Sequence, residues 1–168
     1  MNSCQILNTR DVLYLALLHD VCDHKYPQSI PRKELSNWII NNIDKGSANL
    51  IDNFIDKVSF SKQQKSGDMS KVHSVLEAVR DGDRAEAIGE IGIARCEQFS
   101  RILGHKVPEN IVVHAYDKLL RLIPEGYIVN RNEEIIKRHN VMVDYVNKHD
   151  PNKKTEYLRI FIIKKRKF

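Results

Sequence analysis

The sequence lacks the features of a membrane-spanning, secreted or disulfide-stabilised protein. None of its 168 residues fall in an apolar run approaching the ~20 residues that a membrane span needs. The N-terminus has no basic region followed by an apolar core and a small-residue cleavage site, so we expect no signal peptide. The cysteines, Cys4, Cys22 and Cys96, are odd in number and form no CxxC pair, which argues against a disulfide framework and a zinc ribbon. These absences predict a cytoplasmic protein in a reducing compartment.

The sequence also lacks any sustained alternation of apolar and polar residues, and therefore any clear indication of a sheet. It contains no internal repeat and no low-complexity linker. Hydrophobic residues make up 42% and charged residues 29% of the chain, as in an ordinary globular protein. We predict an all-α fold with one helical domain at residues 1–152 and a tail at residues 153–168. Residues 157–163 are rich in β-formers, and the pattern leaves open whether they form a strand or a helix.

The net charge of +5 is concentrated in this tail, which holds seven basic residues and a single glutamate. Residues 1–152 carry 20 basic and 21 acidic residues, so the domain itself is close to neutral. A basic terminus can contact nucleic acid or an anionic surface. No nucleic-acid recognition motif flanks this one, and we favour a solvated end.

Helical periodicity accounts for most of the chain. The first helix is capped by Asn8 or Thr9, with the stripe Val12, Leu13, Ala16, Leu17 and Val21 facing the core. The second begins at Pro31, with Leu35, Trp38, Ile39 and Ile43 as its core face, and stops at Gly46, after which Ser47 starts a third. A polar surface loop is expected at residues 59–70. Further helices are predicted at residues 71–80, 83–103, 108–122 and 130–148.

Two adjacent polar residues, His19 and Asp20, stand near the end of the first helix. Neighbouring residues on a helix point about 100° apart, but they can converge on an object lying between them. An imidazole and a carboxylate together suit Mn, Mg, Fe or Zn. Taken alone, such a pair is more typical of a helix cap or a surface pair.

A second acidic group, Asp81-Gly82-Asp83-Arg84, is predicted to open a helix, where carboxylates complement the helix dipole. Gly89 and Gly92 lie further along the same segment. Glycine inside a helix costs about 1 kcal/mol relative to alanine, and a closely packed partner is the usual compensation. We therefore expect another helix to press against this one, with Asp83 brought beside His19 and Asp20.

Five collinear blocks resemble the bacterial stand-alone HD-domain phosphohydrolases. They are LHDVCDHKY at residues 18–26, VSFSK at 58–62, DGDRAEAIGEIGIAR at 81–95, HAYDKLL at 114–120 and RHNVM at 138–142. Each block is weakly specific, but together they cover the chain from about residue 10 to residue 149. The resemblance implies an HD-domain-like helical bundle.

The resemblance further implies a metal site made of His19, Asp20 and a distant aspartate, for which Asp83 fits best and Asp81 is the alternative. Members of the family are similar to nucleoside triphosphate pyrophosphohydrolases, which use Mn or a related divalent ion to cleave the α–β phosphoanhydride. Mn is the expected ion here, with Mg, Fe or Zn as alternatives. A nucleotide is the expected substrate, and a membrane is not an expected partner.

Asp23 lies three residues after Asp20, close enough to share its face, and is our candidate for orienting or deprotonating the attacking water. Lys25 is the candidate for holding a phosphate as a point charge. Lys62, Lys118 and Arg138 are weaker substrate-binding candidates, and Lys118 and Arg138 could instead pin helices through a carboxylate. His114 and His139 are expected to support the site or the packing.

The family's first metal-binding histidine lies on a further helix upstream of the His-Asp pair, whereas this chain has eighteen residues before His19 and none is histidine. Three explanations are open. The start is misassigned or truncated; His24 substitutes for the missing ligand; or the domain has lost tight metal binding and acts as a non-catalytic nucleotide-binding or partner-binding protein. Fewer ligands weaken metal affinity.

Overall fold

The computed structural model describes residues 8–24, 26–70 and 72–150, and these residues form an all-α fold, as predicted. They contain eight α-helices, two short 3-10 turns and no strand. The helices are α1 Thr9–Leu18, α2 Arg32–Asn42, α3 Lys45–Phe54, α4 Phe60–Ser66, α5 Ser74–Glu86, α6 Gly89–Ile102, α7 Glu109–Asp117 and α8 Glu133–His149. The 3-10 turns are Ile55–Lys57 and Leu119–Arg121.

The chain divides into two compact units, one ending at Arg80 and the other beginning at Asp81, so that the boundary falls within α5. The expected division between a domain at 1–152 and a tail at 153–168 stays a prediction, because the tail lies outside the described residues. The strand-or-helix question at residues 157–163 lies outside them as well.

The core of the first unit forms where α1, α2 and α3 pack together. Leu15, Ile39 and Ile51 are fully buried there. Each such side chain contributes about 1.5–3 kcal/mol through burial. The predicted stripe on α1 is wrong in phase, because Leu13 and Leu17 are 56% and 74% exposed while Leu15, which the stripe omitted, is buried. Apolar residues occur on both faces of α1, so periodicity alone could not select the buried one.

Two helices of the first unit, α1 and α3, begin at side-chain caps. Of the two predicted caps of α1, Asn8 is the one that forms, since its side-chain oxygen accepts the N–H of Arg10. The predicted stop at Gly46 is wrong: Asp44 caps α3 by accepting the N–H of Ser47, and Gly46 lies in the first turn. The predicted core position of Trp38 is also wrong, because its side chain is half-exposed. An aspartate cap is a stronger helix start than the glycine that followed it.

The segment expected to be a surface loop at residues 59–70 contains α4. Phe60 and Gln63, three residues apart on one face, are both buried. The helix ends at Gly67, whose φ of +66° is the left-handed conformation that glycine adopts readily. The polar residues that suggested a loop cover the outward face of a short amphipathic helix.

The acidic group at Asp81–Asp83 does not open a helix, because α5 runs through it to Glu86. The break falls instead at Ala87 and Ile88, and α6 begins at Gly89 with a φ of +81°. Ile88 is fully buried in extended backbone conformation at this break. The tertiary environment of Ile88 and the positive φ of Gly89 therefore decide where one helix ends and the next begins.

In the second unit, α6, α7 and α8 pack against one another. A Cβ on Gly89 would lie 3.0 Å from Cγ of Arg138 on α8, which confirms the close helix approach expected at this glycine. Gly92 differs, because a Cβ there would overlap the carbonyl oxygen of Ala87. The predicted continuous helix at 108–122 is interrupted at Lys118, whose backbone leaves the helical region, and Leu119–Arg121 forms a 3-10 turn.

Replacing Gly92 by alanine is expected to destabilise the fold by about 2 kcal/mol, because the clashing atom is backbone and cannot rotate away. The measurement is the free energy of unfolding from urea denaturation.

Gly82→Ala is the matched control. Gly82 lies inside α5 and is exposed, and a methyl group added to its Cα would have no other atom within 4 Å to clash with. We expect a gain of about 0.5–1 kcal/mol at this site, since alanine loses less backbone entropy in a helix. Equal changes in the free energy of unfolding for the two variants would contradict the close approach at Gly92.

Candidate functional site

His19 is the residue that ends α1, and its ring is oriented by the backbone. Its N–H donates to the carbonyl of Leu15, and its Nδ1 lies 2.8 Å from the carbonyl oxygen of Ala16. Because a carbonyl only accepts hydrogen bonds, Nδ1 carries the proton and, in the neutral ring, Nε2 carries the lone pair. A metal-ligating histidine usually donates one ring N–H to a carbonyl or carboxylate in this way.

Nε2 of His19 faces Asp20, with 3.4 Å between Nε2 and Oδ2. In the neutral tautomer both atoms are acceptors, so this approach favours a cation, either a proton on Nε2 or a metal ion beside the pair. The His19 side chain is largely buried and that of Asp20 is mostly exposed, so the pair opens to solvent on the carboxylate side. His19 and Asp20 therefore fit a divalent ion as two of its ligands.

Asp23 does not share a helix face with Asp20, because α1 ends at Leu18 and the two residues lie in the turn beyond it. The N–H of Asp23 donates to the carbonyl of Asp20 at 2.9 Å, which keeps the two residues within one turn of each other. The Asp23 side chain is mostly buried and lies 3.7 Å from Nδ1 of the exposed His24. Lys25 lies outside the described residues, so its role stays a prediction.

Asp83 and Asp81 belong to the second unit. Asp83 is partly buried on α5. Both carboxylate oxygens of Asp81 accept backbone N–H groups, from Val129 at 2.9 Å and from Asn130 at 2.7 Å. Asp81 thus stabilises the segment before α8, which makes it a poor alternative ligand.

Across residues 8–24, 26–70 and 72–150, no group of three or more His, Cys, Asp or Glu side chains is arranged to hold a metal ion. The first unit brings together His19 and Asp20 and no third ligand among these residues. The complete set of His19, Asp20 and Asp83 stays a prediction.

The three substrate-binding candidates have different environments. Lys62 on α4 forms an ion pair with Asp56. Lys118 ends α7 and is partly buried. Arg138 donates to Glu134 at 2.9 Å and to the carbonyl of Ala85 at 3.1 Å, and thereby ties α8 to the end of α5.

Arg138 also lines a surface cavity of about 200 Å³ in the second unit. The cavity lies where α6 begins, and Glu90, Glu134 and Lys137 contribute charges of both signs to it. None of His19, Asp20 and Asp83 lines this cavity.

Sequence reasoning missed two buried arginines and one ion cluster. Arg84 is 1% exposed, donates to the carbonyl of Tyr127 and lies over the Tyr127 ring. Arg80 donates twice to the carbonyl of Lys57, at 2.9 and 2.7 Å. Arg32 contacts Asp52 and Asp56, twenty or more residues away in sequence. No local pattern marks such long-range partners.

His139 on α8 is buried, and this burial lowers its pKa from 6.5 to about 4. The ring is therefore neutral at physiological pH. This agrees with the expected supporting role in packing. His114, the other histidine expected to have such a role, is exposed on α7.

No helix in the described part of the chain is long and apolar enough to cross a membrane.

Comparisons with known proteins find relatives in sequence and structure, although no family model matches. The chain is 31% identical over 140 residues to the uncharacterized protein YpgQ of Bacillus subtilis, and this alignment covers 78% of the chain and 66% of YpgQ, just under two thirds. It is 28% identical to the uncharacterized protein L803 of Acanthamoeba polyphaga mimivirus, covering 80% of the chain and 74% of L803.

The crystal structure of selenomethionine YpgQ superimposes with a TM-score of 0.69 and 29% identity, over 86% of this chain and 79% of YpgQ. The structure of YpgQ in complex with ADP matches with a TM-score of 0.65 and 27% identity, over 86% of this chain and 74% of that one. The all-α fold of this chain is therefore similar to that of YpgQ.

Proposed function

We propose that this chain is a divalent-metal-dependent phosphohydrolase of the HD type that converts a nucleoside triphosphate to the monophosphate and pyrophosphate. The observation that carries the proposal is the pair His19 and Asp20, in which the Ala16 carbonyl orients the imidazole so that Nε2 faces the carboxylate. Support for a nucleotide ligand comes from YpgQ, whose structure contains ADP.

In this proposal His19, Asp20 and Asp83 hold the ion, with Mn expected and Mg, Fe or Zn as alternatives. A bound divalent ion supplies a water that is deprotonated near neutral pH and positive charge for the phosphoryl oxygens. The remaining tasks belong to the protein: His19 is kept as the Nδ1–H tautomer by Ala16, and Asp20 offers an exposed carboxylate.

Asp23 is the group proposed to orient the attacking water or accept its proton. Its backbone bond to Asp20 keeps it one turn away, and its side chain is shielded from bulk solvent. Lys25 and Lys118 are the further candidates for contacting phosphate oxygens, whereas Arg138 is engaged by Glu134 and Ala85.

The ADP complex of YpgQ also favours a second candidate function, a domain that binds nucleotides without turnover. The two functions make the same prediction for nucleotide binding and opposite predictions for product formation. Hydrolysis must therefore be measured alongside binding.

The test is a panel of ribo- and deoxyribonucleoside triphosphates incubated with the chain and Mn²⁺ or Mg²⁺, with pyrophosphate and orthophosphate quantified separately. We expect pyrophosphate release that stops when a chelator is added. Nucleotide binding by calorimetry without release of either product would overturn the hydrolase and support the binding protein.

A further inference from the structure

We propose that Arg32 and Lys62 form a binding site for the phosphate groups of the nucleotide, and that Asp56 occupies this site in the absence of ligand. The inference rests on the proposed function, since it names the group that would hold the substrate's phosphates. Its basis is an ion cluster in the first unit that sequence reasoning did not foresee.

Two cations from different helices converge on one carboxylate in this cluster. Arg32, the first residue of α2, donates through Nε to Oδ2 of Asp56 at 2.8 Å. Lys62 on α4 donates through Nζ to Oδ1 of the same carboxylate. The two cations therefore flank an oxyanion, each bonded to a different oxygen. Two oxygens of a phosphate group can take the same positions, because phosphates and carboxylates accept charge-assisted hydrogen bonds in similar geometry.

Arg32 does not depend on Asp56 for its position. Its Nη1 donates to Oδ1 of Asp52 and its Nη2 to the carbonyl oxygen of Asp52, both at 2.8 Å. Ser36 also donates to Asp52 and helps to fix that carboxylate. One side of the guanidinium is thus anchored, and the Nε edge is the side that faces Asp56. An anion replacing Asp56 would find this donor already oriented.

The cluster is open to solvent. Lys62 and Asp56 are 59% and 51% exposed, and Arg32 is one-third exposed. The hydrogen bond from Lys62 is the largest cause lowering the pKa of Asp56, so the carboxylate is ionised at neutral pH. Exposed ion pairs contribute little net stability, and a more highly charged phosphate can displace Asp56 at low cost.

A backbone hydrogen bond joins the segment before Arg32 to the turn that carries Asp20 and Asp23. The N–H of Ile30, two residues before Arg32, donates to the carbonyl of Val21 in that turn. A triphosphate carries more negative charge than one divalent ion neutralises, so a second cationic site in the same unit as His19 and Asp20 would hold the phosphates that are farthest from the reacting bond.

The test is calorimetric titration of the full chain, in Mn²⁺, with inorganic pyrophosphate and with α,β-methylene-ADP, whose α–β bond cannot be hydrolysed. Lys62→Met should lower the affinity for both ligands about fivefold, and Lys62→Arg should restore it. Asp56→Asn should raise the affinity for both ligands about threefold, because it removes the competing carboxylate while Asp52 still anchors Arg32. The affinity for adenosine, which has no phosphate, should be the same in all of these variants.

Arg10→Met is the matched control, since Arg10 forms a similarly exposed ion pair with Asp44 in the same unit. It should leave the affinities unchanged. Weaker binding in Asp56→Asn, or no change in Lys62→Met while the wild-type chain still binds and cleaves nucleotides, would overturn the phosphate site alone. A wild-type chain that neither binds nor cleaves any nucleotide would overturn the proposed function and this inference together.

Discussion

Asp20→Asn is expected to lower metal-dependent nucleotide hydrolysis by at least about 100-fold. Mutation of residues that merely hydrogen-bond to metal ligands already lowers metal affinity or activity by about 10–100-fold, and Asp20 is itself a proposed ligand. The amide keeps the size of the side chain but loses the negative charge that a divalent ion requires. Because the Asp20 side chain is mostly exposed, the substitution should not disturb folding. The effect is therefore expected in the site and not in the stability of the protein.

Two measurements separate a lost ligand from other defects. Titration of Mn²⁺ followed by electron paramagnetic resonance should show weaker binding in Asp20→Asn, and pyrophosphate release should fall in parallel. Glu97→Gln neutralises a partly exposed carboxylate on α6 and should change neither quantity. If Asp20→Asn bound Mn²⁺ and released pyrophosphate as the wild type does, Asp20 would not be a metal ligand.

Acidification is expected to destabilise the fold through His139 by about 3 kcal/mol between pH 6.5 and pH 4. Above pH 6.5 the ring is neutral in both the folded and the unfolded chain. Below it the unfolded chain binds a proton that the folded chain, with a pKa of about 4, does not bind. The free energy of unfolding should therefore fall by about 1.4 kcal/mol per pH unit within this interval.

Urea denaturation at several pH values measures this slope. The carboxylates of Asp44, Asp56, Asp68 and Glu134 have lowered pKa values, and their contribution is lost only as the pH falls below their unperturbed values of 3.8 to 4.5. The change in the free energy of unfolding between pH 6.5 and pH 5 is therefore due mainly to protonation of histidine.

His139→Gln should flatten the profile in this interval, whereas His105→Gln, at an exposed position, should leave it unchanged. Resonances of the His139 ring should titrate near pH 4 in the folded chain. A ring that titrates near 6.5 would contradict the buried, neutral histidine.

Helical content was predictable because it depends on local periodicity and caps. The cap at Asn8 was one of two that the sequence offered. The close approach at Gly89 was predicted, because glycine within an apolar segment indicated a tightly packed partner. The loop expected at residues 59–70 was wrong because only tertiary burial of Phe60 and Gln63 distinguishes a short amphipathic helix from a polar loop. The helix start expected at residue 83 was wrong because α5 continues to Glu86, and the break falls at Ile88, whose burial no local pattern indicates.

In the candidate site, too, some features were predictable from the sequence and others depended on tertiary packing. The order of residues identified the pair His19 and Asp20, since both positions adjoin the end of a helix. The sequence could not indicate that Ala16 sets the tautomer of His19, because that depends on the ring orientation. It singled out Lys62 but not its partner Asp56 or the neighbouring Arg32, since their proximity arises from the packing of separate helices.

By itself, the sequence determined that the chain is helical and which residue types can bind a metal or a phosphate, because these follow from composition, spacing and side-chain chemistry. The tertiary structure alone decided which of these side chains are committed to other partners. Asp81 is bonded to backbone N–H groups and Arg138 to Glu134, whereas Arg32 and Lys62 converge on a single carboxylate. The reason is that hydrogen bonds and ion pairs act over a few ångströms, and only folding brings residues distant in sequence within that range.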